Sequence, residues 1–412
     1  MRPYSEALQQ LLSDVGRLSQ SEVESVELMN ATGRVLANDV VSPMNVPPKD
    51  NSAMDGYALK LNEADGTDAE RTWVVTATRL AGDATEINVL AGQAVRIMTG
   101  AEVPEGADTV IMQEEVTRDG DVIRIKGEHR EGENIRVAGN DIAEGRTIIA
   151  AGTRLDASHM GLLASVGVDK LSVYRQPTVA LLSTGDELTE PGQPLPAGAI
   201  YNSNRYFLLP MLEKLGCKVL DLGTIRDDKA AIRQAFAQAA QDADFVVTTG
   251  GVSVGDADFV KEVLDELGNI DFWKVAIKPG KPFACGSLTK DPTKKAGYLF
   301  GLPGNPVSAI VTFMLLARPA LEQFSGQAVQ PLAMLPAKLS QSVRKRPGRM
   351  DFQRANYKVS EAGELVVTPF NSQSSGVLSS IAESNCFIVL ARDQGSVDEG
   401  AQVEILPFRQ WL

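Results

Sequence analysis

Histidine and cysteine are scarce in this chain. The 412 residues include two histidines, His129 and His159. That argues against a histidine-based catalytic triad and against a multi-histidine metal site. The three cysteines, Cys217, Cys285 and Cys386, are far apart and odd in number. They form neither a disulfide framework nor a zinc spacing, and they fit a reduced cytoplasm best. The opening "MRPYSEALQQLL" lacks the long apolar core of a signal peptide. No apolar run is expected to reach the ~18 residues of a membrane span. Positive charge is also short: 40 Lys and Arg against 53 Asp and Glu leave a net charge of −13. Such a chain is a poor general binder of nucleic acid, although a local basic pocket can still hold a small anion. Neither a Walker A loop nor a G-x-G-x-x-G turn is present, so the usual nucleotide motifs are missing.

What is present is ordinary globular composition, 43% hydrophobic and 23% charged, over a length that implies roughly two to four domains. "SEALQQLLSDVG" reads as an amphipathic helix with Leu8, Leu11, Leu12 and Val15 on one face and Ser5 as its N-cap. A short strand and a helical turn follow, and then the proline cluster of "PMNVPPKDNSAMDGYAL" breaks the pattern. From about Arg71 to Ile149 the texture is β, with short alternating runs between turn residues. Helical character returns in "DASHMGLLASVGV", capped by Asp156. The β segment reads as an insertion, which puts residues 1–45 with 147–175 in a discontinuous helical and mixed domain and 46–146 in an inserted β-rich domain.

From Gln176, continuous apolar strands such as "TVALLST" and "DFVVTTG" alternate with helices such as "DKAAIRQAFAQAAQD". That pattern predicts a central doubly wound α/β/α domain over 176–328 with a parallel sheet covered on both faces. Short alternating strands from about Pro331 predict a small C-terminal β-barrel over 329–412.

Ligands of open α/β sheets bind beyond the carboxyl ends of the strands. Three segments share that address: "LLSTGDEL", "VVTTGGVSVGDAD" and "LFGLPGNPVS". Their glycines let backbone N–H groups approach a ligand, and Thr184, Ser253 and Ser308 add hydroxyls, so the address suits a phosphate or another oxyanion. Asp186, Glu187, Asp227, Asp256 and Asp258 fall at the same edge. An anion has no direct use for them, but Mg²⁺ is held by one or two carboxylates together with substrate phosphates. The blander alternative is helix capping, and for Asp227 and Asp228 it is the stronger of the two. "AIKPGKPFACG" sets Lys278 and Lys281 on a proline-stiffened turn suited to a small dianion. Arg349 and Arg354 of "RPGRMDFQRA" read as solvated strand-face arginines.

Taken together, "PPKDNSAMDGYAL", "RIMTGAEVPEGADTVIMQE", "GNDI", "LLSTGDEL", "TTGGVSVGDADF", "KVAIKPGKPFACG", "GLPGNPVSA", "PGRMDFQR" and "NCFIVL" closely resemble the molybdopterin molybdenumtransferase family, which includes a domain of gephyrin. The resemblance runs from about residue 5 to the C-terminus. It implies a homodimer of four-domain subunits with the active site shared between them. It implies a reaction on adenylylated molybdopterin and molybdate, with Mg²⁺, that releases AMP and the molybdenum cofactor. Further partners it implies are the adenylyltransferase and molybdoenzyme-maturation proteins.

Carried over by position, Thr184, Gly250, Gly251, Ser253, Gly255, Pro303, Asn305 and Pro306 line the molybdopterin pocket. Asp258, Glu187 and Asp227 are the acidic and Mg²⁺ positions, with Asp258 first. Lys278, Lys281, Ser308, Arg354 and Ser375 surround molybdate. Asp55, Thr99, Arg136 and Asp141 reach the partner subunit's site. "NSQSSGVLSS" departs from the family's Gly-His-Gln pattern, and "LTKDPTKKAG" is a small insertion. Three competing readings remain: a non-catalytic molybdopterin-binding scaffold; the adenylyltransferase, which shares the α/β domain but not the flanking ones; and a related pterin-binding-like domain of nucleotide-repair proteins, against which "DNSAMDGYA" and "RIMTGAEVPEGAD" argue.

Overall fold

A computed structural model describes residues 1–63, 71–251, 259–290 and 297–408. The first helix, Tyr4–Asp14, buries Ala7 and Leu11. It starts two residues earlier than expected: Pro3, not Ser5, occupies the N-cap position and makes no side-chain cap. The helix joins the core of the α/β region, where the Gln323 amide donates to the carbonyls of Leu12 and Val15 at 2.6 and 2.9 Å. The next strand, Val23–Glu27, pairs antiparallel with Lys170–Tyr174. Val40–Val41 pairs with Thr147–Ile149. The chain thus leaves and re-enters this region at neighbouring points. Asp156 caps the helix Ala157–Ser165, accepting from the Ser158 and His159 amides.

Between those points lies a six-stranded sheet, in the order Thr109–Met112, Gly56–Leu59, Gln93–Ile97, Trp73–Arg79, Val122–Ile125, Val116–Asp119. Trp73 is wholly buried in its core.

The central sheet also has six strands, in the order Lys218–Ile225, Thr178–Thr184, Phe245–Thr249, Tyr298–Leu302, Pro282–Ser287, Asn269–Lys274. The first four are parallel, and Pro282–Ser287 alone runs against the rest, antiparallel to both of its neighbours. The sheet is therefore mixed rather than parallel throughout. No crossover helix separates Asn269–Lys274 from Pro282–Ser287, and a short link can join only antiparallel neighbours. Alternate residues of the strands face opposite cores. Val179, Leu181, Phe245 and Val247 face one core. Ala180, Leu182 and Val246 face the other, with Ile232 and Phe236 of the helix Lys229–Asp242 and Val260 and Val263 of the helix Phe259–Leu267.

Arg175 ties the N-terminal region to this sheet, donating to Glu22 at 2.7 Å and to Asp244 at 2.6 and 2.7 Å. The helix running Pro306–Phe324 meets the length and composition of a membrane span, contrary to the expectation that no run does, but 78% of its apolar window is buried inside this fold.

In the C-terminal region, Met350–Val359 pairs with both Leu365–Pro369 and Cys386–Leu390. With Leu335–Leu339 and Gln402–Pro407 this closes a five-stranded barrel. Ile277–Lys278, from the α/β region, joins as a further parallel strand beside Met350 and Asp351.

Candidate functional site

Thr178–Thr184, Phe245–Thr249 and Tyr298–Leu302 are neighbours in the sheet, so the three glycine segments leave one edge side by side. The second segment presses onto the end of the first. Gly250 has φ +89°, and a Cβ there would lie 2.6 Å from the Thr184 carbonyl oxygen. Gly251, at φ +64°, would strike the Val260 side chain at 2.4 Å. These two glycines are demanded by the backbone itself. Gly304 of the third segment is different: its φ is not left-handed, and a Cβ would meet no atom of the described residues within 4 Å. Open space beside a loop glycine leaves room for a ligand to approach the backbone. Pro303, Asn305 and Pro306 surround it, with Asn305 at the N-cap of the helix that Pro306 begins.

Beneath the loops is a buried polar layer. Ser183 Oγ lies 3.1 Å from Thr249 Oγ1. Asn202, 1% exposed, donates to Thr224 Oγ1 at 2.9 Å and caps the helix Ser203–Lys214 by accepting from the Arg205 amide. Thr224 donates to Glu190 at 2.7 Å, and Arg205 donates to the other oxygen of that carboxylate at 2.8 Å. The asparagines of "YNSNRY" are not among the site residues expected from the sequence. The signal was available in two asparagines around a helix N-terminus at the ligand edge.

The carboxylates divide. Asp228 is the helix cap, accepting from the Ala231 amide at 2.8 Å. Asp227 instead faces the first glycine segment. Its amide donates to Asp186 at 3.1 Å, and the Asp186 amide donates back to Asp227 at 3.4 Å. Both carboxylates are exposed, as is Glu187, whose carboxylate lies over Gly185. Among the described residues no group of three metal-ligating side chains occurs. A pair of exposed carboxylates at this strand edge still fits the Mg²⁺ mode that uses one or two side chains plus substrate phosphates. Ser253, Gly255 and Asp258 lie outside the described residues.

Lys278 and Ser308 are brought together by the Pro279–Gly280 turn. A Cβ on Gly280, at φ +104°, would lie 2.4 Å from Thr312 Oγ1 and 3.2 Å from the Ser308 carbonyl, so the turn rests on the helix that carries Ser308. Ser375 closes on the same helix through its carbonyl, which accepts from the Val307 amide at 3.1 Å. Lys278 also pairs with buried Asp351 at 3.0 Å. Lys281 is exposed on the far side of the turn, and its carbonyl accepts from the Val275 amide at 2.8 Å.

Arg354 is not a solvated strand-face arginine. It is 1% exposed and donates to the carbonyls of Ser372 and Ser374 and to Ser380 Oγ at 2.9–3.0 Å, holding the segment that carries Ser375. Burial pushes its pKa down. Arg349 lines a basic cavity of about 730 Å³ with Lys278, Arg344, Lys345, Arg346 and Asp351. Lys345 is buried there and donates to the carbonyls of Arg392 and Gln394. Burial lowers its pKa as well.

The remaining candidates sit on the inserted module. Asp55 accepts from the Thr99 amide at 2.7 Å and hydroxyl at 2.8 Å, and these bonds hold its carboxyl below the usual range. Arg136 is exposed on a strand paired with Asn51–Ser52. The Asp141 amide donates to Val46 at 3.0 Å. Among the described residues, no hydrogen bond or ion pair joins these four to the glycine segments.

Comparison with known proteins bears on all of these regions. Residues 2–167 match the MoeA N-terminal region (domain I and II), 180–323 a probable molybdopterin binding domain, and 336–408 the MoeA C-terminal region (domain IV). The chain is 43% identical to a protein of Haemophilus influenzae named molybdopterin molybdenumtransferase, over 95% of each chain. It is 36% identical to one of that name from Synechococcus elongatus, over 98% of each. A crystal structure of the molybdopterin biosynthesis moeA protein from Pyrococcus horikoshii OT3 superposes with a TM-score of 0.84 at 29% identity, covering 99% of this chain and all (100%) of that one.

Proposed function

The chain belongs to the molybdopterin molybdenumtransferase family, and on that premise we propose that it inserts molybdenum from molybdate into adenylylated molybdopterin, releasing AMP. The observation that carries the reading is the union of two features. Three glycine segments leave adjacent strand ends, and the Lys278 turn rests on the helix that continues the third.

The glycine segments offer backbone N–H groups and helix N-termini to the pterin's phosphates. Thr184, Gly250, Gly251, Pro303, Asn305 and Pro306 form that edge, with Ser253 and Gly255 in the same segments. Lys278, Lys281 and the Ser308 and Ser375 region hold molybdate, a dianion that charge-assisted donors recognise. Arg354 acts by holding the Ser375 segment in place. Asp227, Glu187 and Asp258 would hold Mg²⁺, which when bound neutralises charge on the phosphoanhydride. The chain's own contribution is alignment: it holds the two substrates in line and supplies no covalent nucleophile.

We further propose a cytoplasmic homodimer in which Asp55, Thr99, Arg136 and Asp141 face the partner's site. The domains are 1–45 with 147–175, 46–146, 176–328 and 329–412.

The test incubates purified protein with adenylylated molybdopterin, Mg²⁺ and molybdate, and follows AMP and pterin-bound molybdenum. Both should require molybdate, stop with EDTA, and collapse in Asp258→Ala. A wild-type protein that binds the pterin tightly yet releases no AMP would instead be a carrier or scaffold.

A further inference from the structure

The turn Asn202-Ser203-Asn204 touches the first and third glycine segments and reaches the second through Ser183. Asn202 Oδ1 lies 3.5 Å from Ser183 Oγ, next to the first segment. Ser183 contacts Thr249, at the start of the second. Asn204 reaches the third: its Nδ2 donates to the Gly304 carbonyl at 2.7 Å. That carbonyl requires a donor, which orients the amide and leaves Oδ1 as an acceptor. Asn204 is 8% exposed, and its Oδ1 is buried with no hydrogen-bond partner among the described residues. A buried acceptor left without a donor is costly, and sites that bind ligands are where such a cost is tolerated. The residue stands in the first turn of a 12-residue helix, beside the open space at Gly304.

We infer that Asn204 is a pterin-positioning residue: its amide nitrogen sets the Gly304 turn, and its Oδ1 accepts a hydrogen bond from an N–H group of the bound molybdopterin. The ligand chemistry fits. A pterin carries a ring amide and an exocyclic amine, both donors, whereas molybdate and phosphate at neutral pH offer almost none. The inference rests on the proposed pterin site, and it adds a contact that reads the heterocycle rather than the phosphate. The outer polar layer keeps the turn rigid, since Glu190 joins Thr224 and Arg205 across its back.

The experiment compares wild type with Asn204→Leu, which removes both functions, and Asn204→Asp, which keeps an oxygen acceptor but loses the donor to Gly304. Binding is read by titration with molybdopterin, and turnover by the AMP assay. Asn204→Leu should weaken pterin binding and raise the KM for adenylylated molybdopterin by roughly tenfold, the loss of one buried hydrogen-bond partner. The KM for molybdate and kcat should stay within about twofold. Asn204→Asp should fall between the two. Should Asn204→Leu not fold, Asn204→Ser carries the same test.

Equal shifts in both KM values would mark a merely structural residue and overturn the inference. So would unchanged pterin binding in a folded variant. Because binding is measured without turnover, a wild type that binds but does not react sinks the transferase reading while the Asn204 comparison still stands.

Discussion

Two alanine substitutions in neighbouring loops should act in opposite directions. Gly250 has a left-handed φ of +89°, and a Cβ there would lie 2.6 Å from the Thr184 carbonyl. The left-handed conformation costs alanine ~1–2 kcal/mol, and moving a strand end aside to relieve the contact costs roughly 1–3 more. At ~2–4 °C per kcal/mol for a region of this size, Gly250→Ala should lower the α/β unfolding transition by about 4–20 °C. Gly304 has neither constraint, since its Cβ would meet no atom of the described residues within 4 Å. Gly304→Ala should be neutral or raise stability by ~0.4–1 kcal/mol, because alanine narrows the unfolded ensemble.

The same methyl group would enter the open space at Gly304, where the proposed pterin site lies. Gly304→Ala should therefore weaken molybdopterin binding by roughly tenfold or more, as overpacking of a tight contact does. Scanning calorimetry and pterin titration on the two variants give four numbers. A Gly304→Ala protein that binds like wild type would refute the claim that the third loop contacts the pterin. A Gly250→Ala protein that melts like wild type would refute the claim that the second loop needs its left-handed turn.

Other outcomes follow from the same geometry. Lys278→Met should raise the KM for molybdate and flatten its salt dependence while sparing pterin binding. It should also destabilise the barrel by about 1–3 kcal/mol, since it leaves the buried Asp351 without its cation; an unchanged molybdate KM would count against the lysine's role. Burial pushes the Cys217 and Cys386 thiols up to about 12 and Cys285 higher still. A thiol reagent at pH 8 should label none of them in the native protein and all three after denaturation. The Asp55 carboxyl is held below its ordinary value by the Thr99 donors, so its contribution is full at neutral pH and is lost as pH falls through the folded pKa. The melting-temperature gap between wild type and Asp55→Asn should stay constant above pH ~4 and close below it; a gap that changes between pH 6 and 8 would be evidence against this assignment. Arg354→Lys cannot reproduce three donations to the 372–380 segment, so it should loosen that segment and cost molybdate affinity without altering pterin binding.

Much of the architecture was legible because it rests on periodicity. Continuous apolar strands between amphipathic helices announced the doubly wound sheet. The run "MDFQRANYKV" matches the barrel strand Met350–Val359 residue for residue. The three glycine segments could be assigned to one edge because βα turns always open at the carboxyl ends of parallel strands. What escaped was whatever depends on direction or partner. The antiparallel edge at 269–287 hinges on a missing helix rather than on strand composition. Arg354 and Arg349 sit five positions apart on the same short run, and sequence gives no reason why one guanidinium is sealed under a loop while the other lines a cavity. Asp227 and Asp228 are adjacent in sequence, yet only the second caps its helix, because the first turns back toward Asp186.

The two-residue strand Ile277–Lys278 leaves the α/β region to pair with Met350–Asp351 of the barrel. On the proposed function, one lysine would be both a rung between the two regions and a cation of the anion site. Thermodynamic reciprocity then applies. Whatever strengthens the grip on the oxyanion must also favour the docked arrangement of the two regions, and whatever pries the barrel away must weaken the anion's hold by the same factor. Molybdate should therefore act as a fastener between domains, protecting the 277–278 and 350–351 amides from hydrogen exchange even though it touches only one of the two strands.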